Sequence, residues 1–236
     1  MKQRGTANQT EAGPSKAQAR EIAYQSLRSG ILAGHYHPSQ HLVEQSIAEQ
    51  LRVSKTPVRE ALTRLEQDGL VKSFPHRGFF VRDFTEREFR QVYELRELYE
   101  GACARAASQR AGHAEVAERL DVANQAARTS FAGGHIDDVH RHFSEFDEII
   151  FAQTDNELLQ QEVARIWAQI YLMGVVTNQI PGRIETSIGQ HDKIVGAVRD
   201  GDPDAAERRT RLHIRSLMED ELEHRRRTTR AWSVIR

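Results

Sequence analysis

VSKTPVREALTRLEQDGLV, residues 53–71, sorts its side chains onto two faces when wound as a helix. Val58, Ala61, Leu62 and Leu65 recur at offsets of three and four, so one stripe can seat on a small core, while Lys55, Thr56, Arg59 and Thr63 fall opposite. Ser54 or Thr56 suits the helix start, Pro57 fits a first turn where its missing N–H loses nothing, and Gly69 suits the exit. Cationic and hydroxyl groups crowd the N-terminal half, where backbone N–H groups and the positive end of the dipole also favour an anion such as phosphate. A solvated surface helix would have the same two faces, so the flanking sequence has to decide between the two readings.

Upstream, residues 18–34 place Ile22, Ala23, Leu27, Ile31 and Leu32 on one stripe, and a second short helix over about 43–51 carries Val43, Ile47, Ala48 and Leu51. A tight turn through Arg52 to Ser54 then leads into the reading helix, which is the helix-turn-helix arrangement. Downstream, Leu70 to Phe74 and Phe79 to Arg82 are β-prone runs around Pro75-His76-Arg77-Gly78, so they predict a hairpin wing. SLRSGILAGHYHPSQHLVEQSIAEQLRVSKTPVREALTRLEQDGLVKSFPHRGFFV, from Ser26 to Val81, resembles the N-terminal winged helix of GntR-type bacterial transcription regulators. The resemblance implies that Ser54, Lys55, Thr56 and Arg59 approach DNA and that the wing tip, His76, Arg77 and Gly78, enters the neighbouring minor groove. Two positions depart from the pattern: Lys55 stands where Arg is usual, and Ser39 after Pro38 where Gly is usual. Lysine lacks the planar fork that arginine offers to guanine O6 and N7, which loosens base choice at that position.

A chain of 236 residues is long enough for one large or two ordinary domains with real cores and no disulfides. Cys103 is the only cysteine; on an apolar helical stripe it reads as a small core residue and fits a reducing compartment. No apolar run approaches the ~20 residues of a membrane span and no signal-peptide core precedes the first helix, so the expectation is a cytoplasmic protein with no membrane partner. The net charge of −1 is unevenly divided: residues 1–84 hold 12 Lys and Arg against 8 Asp and Glu, and the remainder 21 against 26. A basic module beside an acidic one suits a DNA-binding domain joined to a domain with another task.

The fold class expected is mainly α: a winged helix-turn-helix with a small hairpin wing, then an antiparallel bundle of about six helices. The expected divisions are a disordered arm over 1–15, the winged helix over 16–84, the bundle over 85–228 and a tail over 229–236. Thr85 and Glu88 form a capping box at the junction, and helices follow at about 86–110, 114–128, 137–153, 157–177, 183–200 and 203–227. Arg225, Arg226, Arg227 and Arg230 near the end either complement the last helix dipole or bind phosphate.

ELRELYEGACARAA from Glu94, FDEIIFAQTDNELL from Phe146 and IGQHDKIVGAVRDGDPDAAERRTRLHI from Ile188 make the bundle resemble the ligand-binding, FCD-type domain of the FadR-like branch of that family. The resemblance implies a divalent metal held by an Asp and a His one turn apart and by two later histidines, whose places His191 and His213 occupy. Independently, both histidines share apolar stripes with Ile188, Ile194 and Leu217, and Asp147 sits on a third stripe with Phe143, Phe146 and Ile150, where an unpaired charge is costly. Counting back from Asn156, however, Asp147 stands where the pattern has His and Phe143 where it has Asp. Asp147, His191 and His213 remain as a three-ligand set compatible with Zn²⁺, Ni²⁺ or Mn²⁺. Two alternatives stay open: a register pairing Asp138 with His142, and a metal-free pocket in which the histidines meet an organic acid directly. Arg96, on the stripe of Phe89, Val92 and Tyr93, either pairs with Glu100 at i+4 or forks an effector carboxylate, as the resemblance favours.

Together these features predict a homodimeric transcription regulator, a repressor in the usual mode of its kind, that binds a palindromic double-stranded operator and responds to a small organic acid. A metal sensor and a metal-dependent hydrolase fused to a DNA-binding module are the alternatives, although no HExxH motif is present.

Overall fold

The computed structural model describes residues 15–173 and 179–228. The arm before Ser15, the end of the helix expected to reach Thr177, and the tail with Arg230 lie outside the described residues. The chain divides into two compact units, Met1–Arg82 and Asp83–Arg236.

In the first unit, helix α1 (Lys16–Leu32) opens on a capping box, with Ser15 accepting from the Gln18 backbone and Gln18 accepting from that of Ser15. Ala23, Leu27 and Ile31 are buried as expected, but Ile22 is 47% exposed and Tyr24 points inward in its place. The reason is tertiary: the Tyr24 hydroxyl donates to Asp68 at 2.7 Å and its ring lies 3.7 Å under the Arg64 guanidinium. Helix α2 (Glu44–Leu51) buries Ile47 and Ala48, leaves Val43 outside as its cap, and ends at Arg52 in the left-handed region (φ 55°). That sharp exit turns the chain into α3 (Lys55–Gln67), whose Val58, Ala61, Leu62 and Leu65 are fully buried.

Strands β2 (Val71–Phe74) and β3 (Gly78–Val81) pair antiparallel, Val71 opposite Val81 and Phe74 opposite Gly78. The wing is nevertheless three-stranded, because β1 (His41–Leu42) pairs antiparallel with β3 on its other edge. Two residues are too few to show alternation in a sequence. Ser39 turns the chain into this strand at φ 66°, which explains why glycine is usual there, and its N–H donates to Val81.

The second unit holds six helices among its described residues: α4 (Glu86–Gln109), α5 (His113–Ala132), α6 (Ile136–Phe151), α7 (Glu157–Met173), α8 (Arg183–Arg199) and α9 (Pro203–Thr228). Thr85 and Glu88 make the expected capping box at α4. Helix α4 packs chiefly on α9, and α5 on α6 and α8. The main core joins Cys103, Ala107, Leu120, Phe146, Ile150, Val163, Ile194 and Val198, and a second joins Phe89, Tyr93, Ile214 and Leu217. Burial pushes the Cys103 thiol up to about 12, as suits an inert core residue. Among the described residues no helix is long and apolar enough to cross a membrane.

Candidate functional site

Two places carry unspent chemistry. The first is the N-terminus of α3. Ser54 stands as its N-cap, yet the hydroxyl makes no capping hydrogen bond. Lys55 and Thr56 are exposed on the first turn, and Pro57, which has no N–H to satisfy, is buried beneath them. Arg59 follows one turn on, its side chain 69% exposed, with Nε 3.0 and 3.1 Å from the two carboxylate oxygens of Glu44 on α2. That pairing extends the guanidinium away from the core and orients it. At the wing tip His76 (φ 60°) and Gly78 (φ 85°) make the turn, and the Arg77 N–H donates to the Phe74 carbonyl. A Cβ at Gly78 would lie 3.1 Å from the His41 imidazole, which itself stacks on Phe80 at 4.6 Å.

The second place is a cavity of about 300 Å³ in the bundle, lined by Tyr93 and Arg96 of α4, His140, Phe143 and Asp147 of α6, Trp167 of α7, His191 of α8 and His213 of α9. Arg96 is 4% exposed and donates through Nε to Glu100 at 2.7 Å, with its guanidinium 4.6 Å from the Trp167 ring. The i+4 ion pair is therefore formed, and among the described residues the two terminal nitrogens of the fork have no hydrogen bond. Asp147 also lacks one; burial and then the Glu100 carboxylate hold its carboxyl well above the ordinary range, against the pull of Arg96. His191 stacks on Phe146 at 4.2 Å, meets the edge of Phe143 at 5.0 Å and lies 4.7 Å from the His213 ring. Its Nδ1 is buried without a partner, and burial, with Arg183 and Arg96 adding positive charge, holds the ring down to about 3. Burial likewise pushes His213 well below the usual histidine range.

Behind the histidines lies Arg183, whose side chain is fully buried. Nε and Nη2 donate to Ser187, Nη1 to Ser216 and Asp220, and Nη2 also to Gln190 at 2.6 Å. The same Gln190 oxygen stands 2.7 Å from His213 Nδ1. Sequence reading overlooked Arg183, Gln190 and His140. Steps of four back from His191 reach Ser187 and Arg183, a step of seven on from Arg183 reaches Gln190, and a step of seven back from Asp147 reaches His140, so a polar residue search along each stripe would have found them. Asp138 and His142 do not line the cavity; they face Arg141 and Glu145 instead. Arg225, Arg226 and Arg227 are each paired within the unit, with Glu221, Glu86 and Glu223.

The model of the bacterial regulatory proteins of the gntR family matches residues 19–81, and that of the FCD domain matches residues 91–216. This chain belongs to the GntR family of transcription regulators and carries a C-terminal FCD domain. The Nta operon transcriptional regulator of Aminobacter aminovorans is 40% identical over 87 residues, which is 37% of this chain and 41% of that protein. With that relative and a regulator from Agrobacterium vitis, matched over 56% of its length, the alignment spans about half of the curated protein. The HTH-type transcriptional repressor RspR of Escherichia coli (strain K12) is 24% identical over 89% of this chain and 92% of its own. The crystal structure of a putative transcriptional regulator GntR from Rhodococcus sp. RHA1 shares the fold, with a TM-score of 0.65 at 22% identity, over 88% of this chain and 98% of that one. The family and these relatives are regulators rather than enzymes, so the hydrolase alternative falls.

The metal that FCD resemblance implies does not fit this regulator's side chains. Asp147, His191 and His213 line one cavity, yet among the described residues no group of three or more His, Cys, Asp or Glu gathers closely enough to hold an ion. A carboxylate at 147 ends nearer its own backbone than the imidazole the family pattern has there, and the Phe143 ring fills the other ligand's place against His191. Arg96 and Arg183 add positive charge at both imidazoles, which opposes a cation further.

Proposed function

We propose that this GntR regulator is a homodimer that binds a palindromic operator through the start of α3 and the wing, and that a small organic acid in the bundle cavity sets its operator affinity. The winged helix over 16–84 and the bundle over 85–228 divide these tasks. The observation that carries the DNA reading is the open α3 N-terminus, where an uncommitted Ser54 hydroxyl, exposed Lys55 and Thr56, and an oriented Arg59 lie within the first two turns. Unpaired N–H groups and the dipole suit a phosphate there, and the Arg59 fork suits a guanine edge. His76, Arg77 and Gly78 present a narrow tip suited to the adjacent minor groove. Two copies match the two half-sites of a palindrome, and such a protein works in the cytoplasm, where its DNA is. Repression is favoured by the repressor named among the relatives.

An effector changes operator affinity only as far as it binds the DNA-competent and incompetent arrangements unequally. The unpaired fork of Arg96 supports an organic acid as that effector. Arg59→Ala is expected to weaken operator binding by ~1–3 kcal/mol while sparing random duplex, and Lys55→Ala to weaken both and lower the salt slope by roughly one. Equal losses on operator and random duplex for Arg59→Ala would remove it from base reading. Native and elemental mass spectrometry of the purified protein then identify the effector; release of operator by a metal ion alone would make the ion the signal.

A further inference from the structure

The bundle cavity holds a donor and two acceptors whose hydrogen-bonding capacity is unmet among the described residues. Arg96 spends Nε on Glu100 and keeps its terminal fork. Asp147 makes no hydrogen bond among the described residues. The third group is His213, and its tautomer follows from Arg183. Arginine only donates, so the Gln190 oxygen that takes an Arg183 N–H at 2.6 Å is an acceptor toward His213 Nδ1 as well. Nδ1 therefore carries the proton, and the lone pair of the neutral ring is left on Nε2.

We propose that the cavity takes, without a metal ion, a small carboxylic acid that also bears a hydroxyl or amino group, its carboxylate on the Arg96 fork and its donor shared by Asp147 and His213 Nε2. This rests on the effector-site reading above and specifies its ligand class. A plain monocarboxylate would leave the two acceptors desolvated and unmatched, and a plain dicarboxylate would bring only another acceptor to the lone pair of His213 Nε2. A cavity of about 300 Å³ sits at the small end of ligand sites, and the rings of Phe143 and Trp167 supply apolar walls for a short carbon skeleton.

The test uses the full chain, stripped with chelator, in thermal-shift and calorimetric titrations against matched sets: propionate, lactate and alanine; succinate, malate and aspartate; adipate and its hydroxy and amino derivatives. At least one hydroxy or amino acid is expected to bind tenfold or more tightly than its unsubstituted parent, with no gain from added Zn²⁺, Ni²⁺ or Mn²⁺. Asp147→Asn should shrink that discrimination while leaving the folded protein's melting transition cooperative. Binding by no member of the panel, equal binding of the parents, or binding only with added metal overturns the proposal. The effector reading fails separately, if an acid that binds leaves operator affinity unchanged.

Discussion

His191 is the residue whose chemistry the fold changes most. An exposed imidazole titrates near 6.5, whereas burial against two phenyl rings, with Arg183 and Arg96 nearby, holds this one down to about 3. Between those values the unfolded chain binds a proton that the folded chain refuses, so this contribution is complete above about pH 6.5 and is lost as pH falls below it. Buried His213 acts with the same sign. Asp147 and Glu100 act oppositely, since burial raises both carboxyls and the folded chain keeps their protons longer. Denaturant titrations between about pH 5 and 6.5 should show His191→Leu reducing the dependence of stability on pH by up to ~1.4 kcal/mol per pH unit. An unchanged slope would mean that the folded protein accepts a proton at His191. Arg183 makes a different prediction, because all its nitrogens are spent on acceptors in a dry site. Arg183→Met takes the donor from Ser187, Ser216 and Asp220 and should cost ~2–4 kcal/mol, and Arg183→Lys should not restore it, since a point charge cannot replace the fork. A loss under about 1 kcal/mol for the methionine variant would contradict that account.

At the scale of elements, two helix starts that share a hydroxyl N-cap differ in whether that hydroxyl caps. Thr85 closes α4 with a capping box, its hydroxyl accepting from Glu88 while Glu88 accepts from Thr85. Ser54 occupies the same position on α3 and accepts nothing. Thr85→Ala should therefore lower stability by ~1 kcal/mol, and Thr85→Ser should largely preserve it. Ser54→Ala should cost less than about 0.5 kcal/mol of stability and yet weaken DNA binding. Equal stability losses at the two sites, read from parallel denaturation curves, would show that Ser54 is a structural cap after all. The wing has a similar division between frame and tip: β1 and β3 hold His41 on Phe80, while the residues that turn at His76 and Gly78 stay exposed or half-buried.

Across the whole molecule, the change from a basic to an acidic stretch of sequence near residue 84 falls close to the division between the two compact units. Periodicity predicted every described helix to within a few residues, because each helix buries a stripe that repeats locally along the chain. It also placed Val58, Ala61, Leu62 and Leu65 in one core, and Phe146, Ile150 and Ile194 in another. What it could not decide was anything that depends on how a helix is rotated against its neighbours or on a very short pairing. Tyr24 displaces Ile22 because Asp68 and Arg64 come from α3, and β1 exists because β3 has an open edge. The bundle cavity is the sharpest case. The sequence determined that Arg96, Asp147, His191 and His213 face inward, since each lies on an apolar stripe of its own helix. Only the tertiary structure decided what they can hold: the reach of each side chain, the Phe143 ring against His191 and the Arg183–Gln190 link to His213 belong to four helices at once, and no single stretch of chain encodes them.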